Sequence, residues 1–177
     1  EKPTSLLEAA MEVNGSLENV LALHSLSKRS NLPGFRSGCA TGDASIIAAF
    51  SKYRMFHGVS VPLPIQNAST LAWADDKTVE DNRAAYAKKF KLAEEILDKD
   101  SLTPDGAFYL WLKVKDAEAF TKKLYDEEQV IVLPGKYLGA EDNGQNPAEQ
   151  YLRIALVHDI ESTTKALTSI KKVLDNE

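Results

Sequence analysis

Twice in its second half this chain passes within a few residues from a strand-type run to helical apolar spacing, and that switch constrains the fold more than any other feature. Residues 107–114 (AFYLWLKV) are dense in aromatic and branched apolar side chains and read as a strand. Asp116 then stands where a helix N-cap belongs, and Phe120 and Leu124 share one face of a helix predicted over 117–125. Residues 151–157 (YLRIALV) begin a second such unit, followed by a helix over 160–174 with Ile160, Thr163, Leu167, Ile170 and Leu174 on one stripe. Between them lie a short strand, 130–133, ending at Pro134-Gly135, and a polar loop, 137–150, punctuated by Gly139, Gly144 and Pro147. Strand and helix in alternation predict an α/β architecture.

The first half fits the same class. Residues 20–26 (VLALHSL) suit a buried strand, and 37–41 suit a second one. The Ser-, Asn-, Pro- and Gly-rich stretch between them reads as a loop with room for one helical turn. Asp43 is placed to cap a helix carrying Ile46, Ile47, Phe50 and Tyr53. Pro62 and Pro64 mark the entry to a helix over 65–74, and a longer helix over 78–97 aligns Val79, Asn82, Tyr86, Phe90, Ala93 and Leu97. Pro104, Asp105 and Gly106 break the pattern. The expected division is therefore a larger lobe, 1–101, and a smaller α/β lobe, 102–177.

Composition narrows the functional classes. With 177 residues, 44% hydrophobic and 27% charged, the chain is of globular type, and a net charge of −5 without any basic stripe argues against nucleic-acid or anionic-membrane partners. No apolar run approaches the ~20 residues that span a bilayer. The single Cys39 fits a reducing compartment, and a cytoplasmic location is expected. Cys39, Trp73 and Trp111 are expected to be packed rather than reactive. His24, His57 and His158 show no metal-ligand spacing, so no metal site is expected. The opening Glu-Lys-Pro-Thr is not a signal peptide; it reads as a processed end or a start inside a longer protein.

The chemistry concentrates in Ser25-Leu26-Ser27-Lys28-Arg29-Ser30-Asn31-Leu32-Pro33-Gly34-Phe35-Arg36-Ser37-Gly38. Ser25 and Ser27 would share a face if the strand reaches them, and a Pro-Gly turn allows Arg36 to fold back toward Lys28. Hydroxyls with a guanidinium make a suitable phosphate site, because guanidinium offers paired donors to phosphate oxygens. A lysine beside such a site can form a Schiff base with an aldehyde cofactor, and burial would lower its pKa toward the neutral amine. On the residues alone, a solvent-facing lysine in a Ser-rich loop stands as the other reading. Arg153, in the middle of an apolar strand, needs a carboxylate partner, either internal or from a ligand.

This stretch resembles the cofactor-attachment motif of the class I/II aminotransferases, enzymes that use pyridoxal 5'-phosphate. The one departure is Ser37, where the family has an aliphatic residue. Residues 104–109 (PDGAFY) resemble the family's Pro-x-Gly-x-Phe segment, and Val132-Leu133-Pro134-Gly135 with Gly139 resembles its Pro-Gly loop. Tyr151-Leu152-Arg153-Ile154-Ala155 resembles its late arginine strand. The resemblance implies the C-terminal portion of the fold-type-I transferase fold, comprising the end of the large domain and the small domain. It implies Lys28 as the catalytic, cofactor-bearing lysine, Ser25, Ser27 and Arg36 as phosphate ligands, and Arg153 as the substrate-carboxylate clamp, with Phe108 beside the substrate.

Amino-acid and 2-oxo-acid substrates, a homodimer and an amino-acid biosynthetic role follow from the same resemblance. The wording of residues 25–38 is nearest to bacterial N-succinyldiaminopimelate aminotransferases. The family uses an earlier segment to stack the cofactor ring and pair its pyridine nitrogen, so this chain by itself is expected to have little transaminase activity. A lyase of the same fold and a non-catalytic aminotransferase-like module are the two rival readings.

Overall fold

A computed structural model describes residues 4–58, 60–98 and 106–176, and the chain forms two compact units, Glu1–Arg83 and Ala84–Glu177. The expected lobe boundary at 101/102, with Pro104 and Asp105, lies outside the described residues.

The first unit begins with α1 (Leu6–Asn14), set by a capping box in which the Ser5 hydroxyl accepts from the Glu8 amide and the Glu8 carboxylate accepts from the Ser5 amide. The Ser-x-x-Glu signature was present in the sequence and was not among the expected elements. Strand β1 (Leu21–Ser25) pairs antiparallel with β2 (Gly38–Gly42), and the register sets Ser25 opposite Gly38 and Leu21 opposite Gly42. Between them the chain forms one helical turn, α2 (Leu26–Arg29), and a 3-10 turn at Pro33–Phe35. Helices α3 (Ala44–Arg54) and α4 (Leu63–Ala74) follow, and then α5 (Asp76–Leu97), which runs across the division between the units.

Asp43 latches the open end of this ribbon. Its carboxylate accepts from the amides of Ser45 at 2.7 Å, Ile46 at 3.3 Å and Asn19 at 2.8 Å, so it caps α3 and ties the chain two residues before β1 to the residue after β2. Gly42, at φ 142°, lies so close to the Val20 carbonyl that a Cβ would sit 2.0 Å from its oxygen, which demands glycine there. Both ribbon strands were expected to be buried. Their residues are instead half-buried or exposed, as is Cys39, because a two-stranded ribbon needs a covering layer to hide both faces. Phe56 at 79% and Leu71 at 76% exposure show the same pattern elsewhere in this unit.

The second unit has a continuous core. Strands β3 (Tyr109–Lys113), β4 (Leu133–Pro134) and β5 (Tyr151–Ala155) make an antiparallel sheet in the order β3-β5-β4. The side-chain period of two sends Leu110, Leu112, Leu152 and Ile154 to one face. There they cluster with Phe90, Ala93 and Leu97 of α5, with Phe120 and Leu124 of α6 (Ala117–Glu128), and with Leu167, Ile170 and Val173 of α7 (Ile160–Leu174). Asp116 caps α6 as expected, and α7 has the expected bounds. The strand expected over 130–133 pairs only at Leu133 and Pro134; Val132 is buried, whereas Ile131 is exposed.

Two outcomes test this description. Leu152, fully buried at the middle of the sheet, loses transfer energy and leaves a cavity when truncated, so Leu152→Ala is expected to cost about 2–5 kcal/mol in urea unfolding of the second unit. The Asp43 carboxyl is held at about 2, below its ordinary 3.8, chiefly by the Ser45 hydroxyl and then by the Asn19 and Ser45 amides. A depressed carboxylate pKa stabilises the fold above the unfolded value, and that contribution disappears as pH falls through the folded one. The thermal midpoint should therefore drop between pH 3.8 and about 2, and Asp43→Ala should flatten that acid limb.

Candidate active site

The strand-to-helix switch after β1 places the first group of residues. Ser25 ends the strand and is also the N-cap of α2: its Oγ accepts from the Ser27 amide at 3.1 Å. The same hydroxyl lies 3.0 Å from Ser27 Oγ and 3.3 Å from the Ser37 carbonyl, so the two serines expected to act together do stand together. The Leu26 amide donates to the Ser37 carbonyl at 3.1 Å, which closes the return of the chain and sets Arg36 beside the start of α2. Arg36 is exposed and adopts φ 50°, a left-handed conformation that costs a non-glycine residue roughly 1–2 kcal/mol. Its guanidinium donates to the Pro33 carbonyl at 2.8 Å, using one of five N–H groups. Lys28 is exposed on the outer side of α2; the burial expected for it is not supplied by the first unit.

The neighbouring Arg29 behaves in the opposite way. Its side chain is only 14% exposed and reaches the C-terminal end of α4, donating to the Ala72 carbonyl at 2.9 Å and the Asp75 carbonyl at 3.4 Å. It also pairs with Asp76 at 2.5 Å, donates to Ser30 Oγ at 3.1 Å and lies over the Trp73 ring at 5.6 Å. The sequence carried no local sign of this, since every partner but Ser30 stands more than forty residues away.

The second group lies on the outer face of the β3-β5-β4 sheet. The register sets Arg153 opposite Trp111 on one side and Leu133 on the other, so the charge sits on the central strand. Its guanidinium lies over the Tyr109 ring, 5.7 Å from the centroid, within cation–π range. No ion pair holds Arg153 among the described residues, so the internal carboxylate partner weighed from sequence is not found there. Trp111, expected to be a core aromatic, is 38% exposed and stacks on Tyr151 with centroids 5.4 Å apart. Gly135 packs beneath this pair: a Cβ there would meet the Trp111 ring at 2.8 Å and the Ala148 carbonyl at 2.5 Å, which favours glycine at this position. Phe108 is half-buried against Tyr86 and Tyr109, and its carbonyl accepts from the Leu156 amide. Asn146 holds the long polar loop, donating to the carbonyls of Lys136 and Gly139 and accepting from the Ala148 amide.

Comparison with known proteins gives this arrangement a family. The family model described as aminotransferase class I and II matches residues 2–170. A crystal structure of an aminotransferase from Neisseria meningitidis Z2491 superposes with a TM-score of 0.90 and 42% identity, covering 98% of this chain and 45% of that one. Among curated relatives, a 4-dedimethylamino-4-oxo-anhydrotetracycline transaminase of Streptomyces rimosus is 35% identical over 158 residues, 87% of this chain. An LL-diaminopimelate aminotransferase of Nitratidesulfovibrio vulgaris is 30% identical over 178 residues, 96% of this chain. The chain spans 42% and 43% of the lengths of these two relatives. Its α/β architecture is part of the fold that such aminotransferases share, and the chain belongs to the class I and II aminotransferases, a family dependent on pyridoxal phosphate.

Proposed function

We propose that this chain carries the cofactor-lysine and carboxylate-clamp portion of a pyridoxal-phosphate-dependent aminotransferase, working in the cytoplasm on an amino acid and a 2-oxo acid. The observation that carries the reading is the side-by-side placement of the Ser25 and Ser27 hydroxyls next to Lys28, within a family match that spans most of the chain. The donor set suits the group: two hydroxyls 3.0 Å apart and a guanidinium with unused N–H groups are the donors a phosphate ester recruits. Ser25, Ser27 and Arg36 would hold that phosphate. When bound, pyridoxal phosphate supplies an aldehyde that captures amines and a ring that accepts the electron pair left on deprotonating the substrate.

The protein residues then have separate duties. Lys28 would hold the cofactor through its amine, and that amine would move the proton at the substrate Cα. Arg153 binds the substrate carboxylate, with its guanidinium face supported by Tyr109, and Phe108 lines the same region. Uncovered apolar groups on the first unit fit a reading in which further polypeptide, and a second copy in a homodimer, complete the site. A diaminopimelate-type donor, N-succinyl-LL-diaminopimelate in particular, is supported by the wording of residues 25–38 and by the likeness to an LL-diaminopimelate aminotransferase. The likeness to a tetracycline-pathway transaminase keeps a bulkier acceptor as the competing choice.

Incubation of the chain with pyridoxal phosphate, borohydride reduction and peptide mapping should place the pyridoxyl group on Lys28; preferential labelling at another lysine would overturn the assignment. Turnover by the 177-residue chain alone is expected to be negligible in an assay for glutamate formed from 2-oxoglutarate and an amino donor. In the active enzyme containing this chain, Arg153→Ala should lower kcat/KM for amino acids on the order of a hundredfold or more. Amine donors lacking a carboxylate should be little affected, and an equal loss for both donor classes would remove Arg153 from the clamp.

A further inference from the structure

The one-turn helix that carries Lys28 cannot hold itself. A single helical turn fixes several backbone dihedrals in return for one or two hydrogen bonds, so α2, four residues long, needs outside support to persist. Two side chains supply it. Leu26 is fully buried, and Arg29 is inserted against the end of α4. Successive helical residues are rotated by about 100°. Turning Arg29 inward therefore turns Lys28 outward, and the two orientations are one geometric fact.

We propose that Arg29 is a positioning residue for Lys28: its guanidinium fixes the rotation of α2 against α4 and so aims the lysine amine. The proposal rests on the reading of Lys28 as the cofactor lysine, but its geometry is independent of that reading. The parts of the clasp are unequal. Asp76 is 85% exposed, so its ion pair with Arg29 is weakened by solvent and contributes little. The part-buried contacts dominate. One guanidinium nitrogen reaches the Ala72 carbonyl and the Ser30 hydroxyl, and the group also lies over the Trp73 ring. The Ala72 and Asp75 carbonyls lie at the C-terminal end of α4, where a cation is favoured; Ala72 also accepts from the Asp75 amide, so Arg29 adds a second donor to it. A planar fork satisfies several acceptors at once; a lysine ammonium in its place keeps the charge but not that geometry.

The test uses the full chain, with pyridoxal phosphate and borohydride as the probe and Lys88, exposed on α5, as an internal control. In the wild type the label at Lys28 should exceed that at Lys88. In Arg29→Ala that ratio should fall toward one, and exchange of the Ser30 and Leu32 amides, both bonded to the Leu26 carbonyl, should quicken about tenfold. Arg29→Lys, which keeps the Asp76 pair and serves if the alanine variant does not fold, should recover less than half of either effect. Wild-type ratio and exchange in Arg29→Ala, or full recovery in Arg29→Lys, would overturn the proposal. Absence of preferred labelling in the wild type would sink the cofactor reading instead, and the exchange comparison would still decide whether Arg29 sets α2.

Discussion

Leu26 sits where the chain must stop being a strand and start being a helix, and the arrangement of the cofactor-type residues depends on how that switch is satisfied. Its amide donates back to the Ser37 carbonyl, its own carbonyl accepts from both Ser30 and Leu32, and its side chain is fully buried. Every polar group at the corner has a partner, which removes the cost that an unpaired buried amide would impose. From this point Ser25 and Ser27 fall beside each other and Lys28 projects outward. A change in register by one residue in the ribbon would reverse the faces of β1 and scatter that set.

The two units reach stability by different routes. In the second, the sheet packs one face against three helices, and the buried leucines, isoleucines and phenylalanines of that cluster supply the transfer energy. Its other face carries Arg153 and the aromatics Tyr109, Trp111 and Tyr151, with Arg153 over the Tyr109 ring and Trp111 stacked on Tyr151. The first unit buries few apolar side chains among the described residues: Ala10, Leu26 and Val79. It relies on polar latches, namely the capping box at Ser5, the Asp43 carboxylate and the Arg29 clasp. The residues expected to form the site are thus held by hydrogen bonds on one unit and by a packed sheet on the other.

Much of this was legible from residue order. The helices expected at Asp43, over 65–74, over 117–125 behind Asp116 and over 160–174 all form, two of them running on to Leu63–Ala74 and Ala117–Glu128, because apolar spacing and caps act within a few residues. The attachment motif is equally local, since Ser25, Ser27 and Lys28 lie within one turn. Burial was less legible: within the expected segments 20–26 and 37–41 the strands Leu21–Ser25 and Gly38–Gly42 form, but their residues are half-buried or exposed and only the flanking Leu26 and Ser37 are buried, because apolar content reports what a segment can bury and not what covers it. The short β4 differed from the expected run because pairing depends on the partner strand, and β5 meets it only at Leu133 and Pro134.

The sequence by itself determined the element types, the caps and the identity of a family whose motif is contiguous, because these depend on spacing and chemistry along the chain. Only the tertiary structure decided that Arg29 anchors α2 at a helix end more than forty residues away, that Arg153 lies on the open face of a central strand over Tyr109, and that Trp111 stacks on Tyr151. Those contacts join residues that are distant in order, and no local periodicity encodes which distant backbone carbonyl or aromatic ring a side chain will meet. Lys28 shows the division most plainly. The motif around it is contiguous in the sequence, whereas its exposure on α2 goes with the inward turn of Arg29, most of whose partners lie elsewhere in the chain.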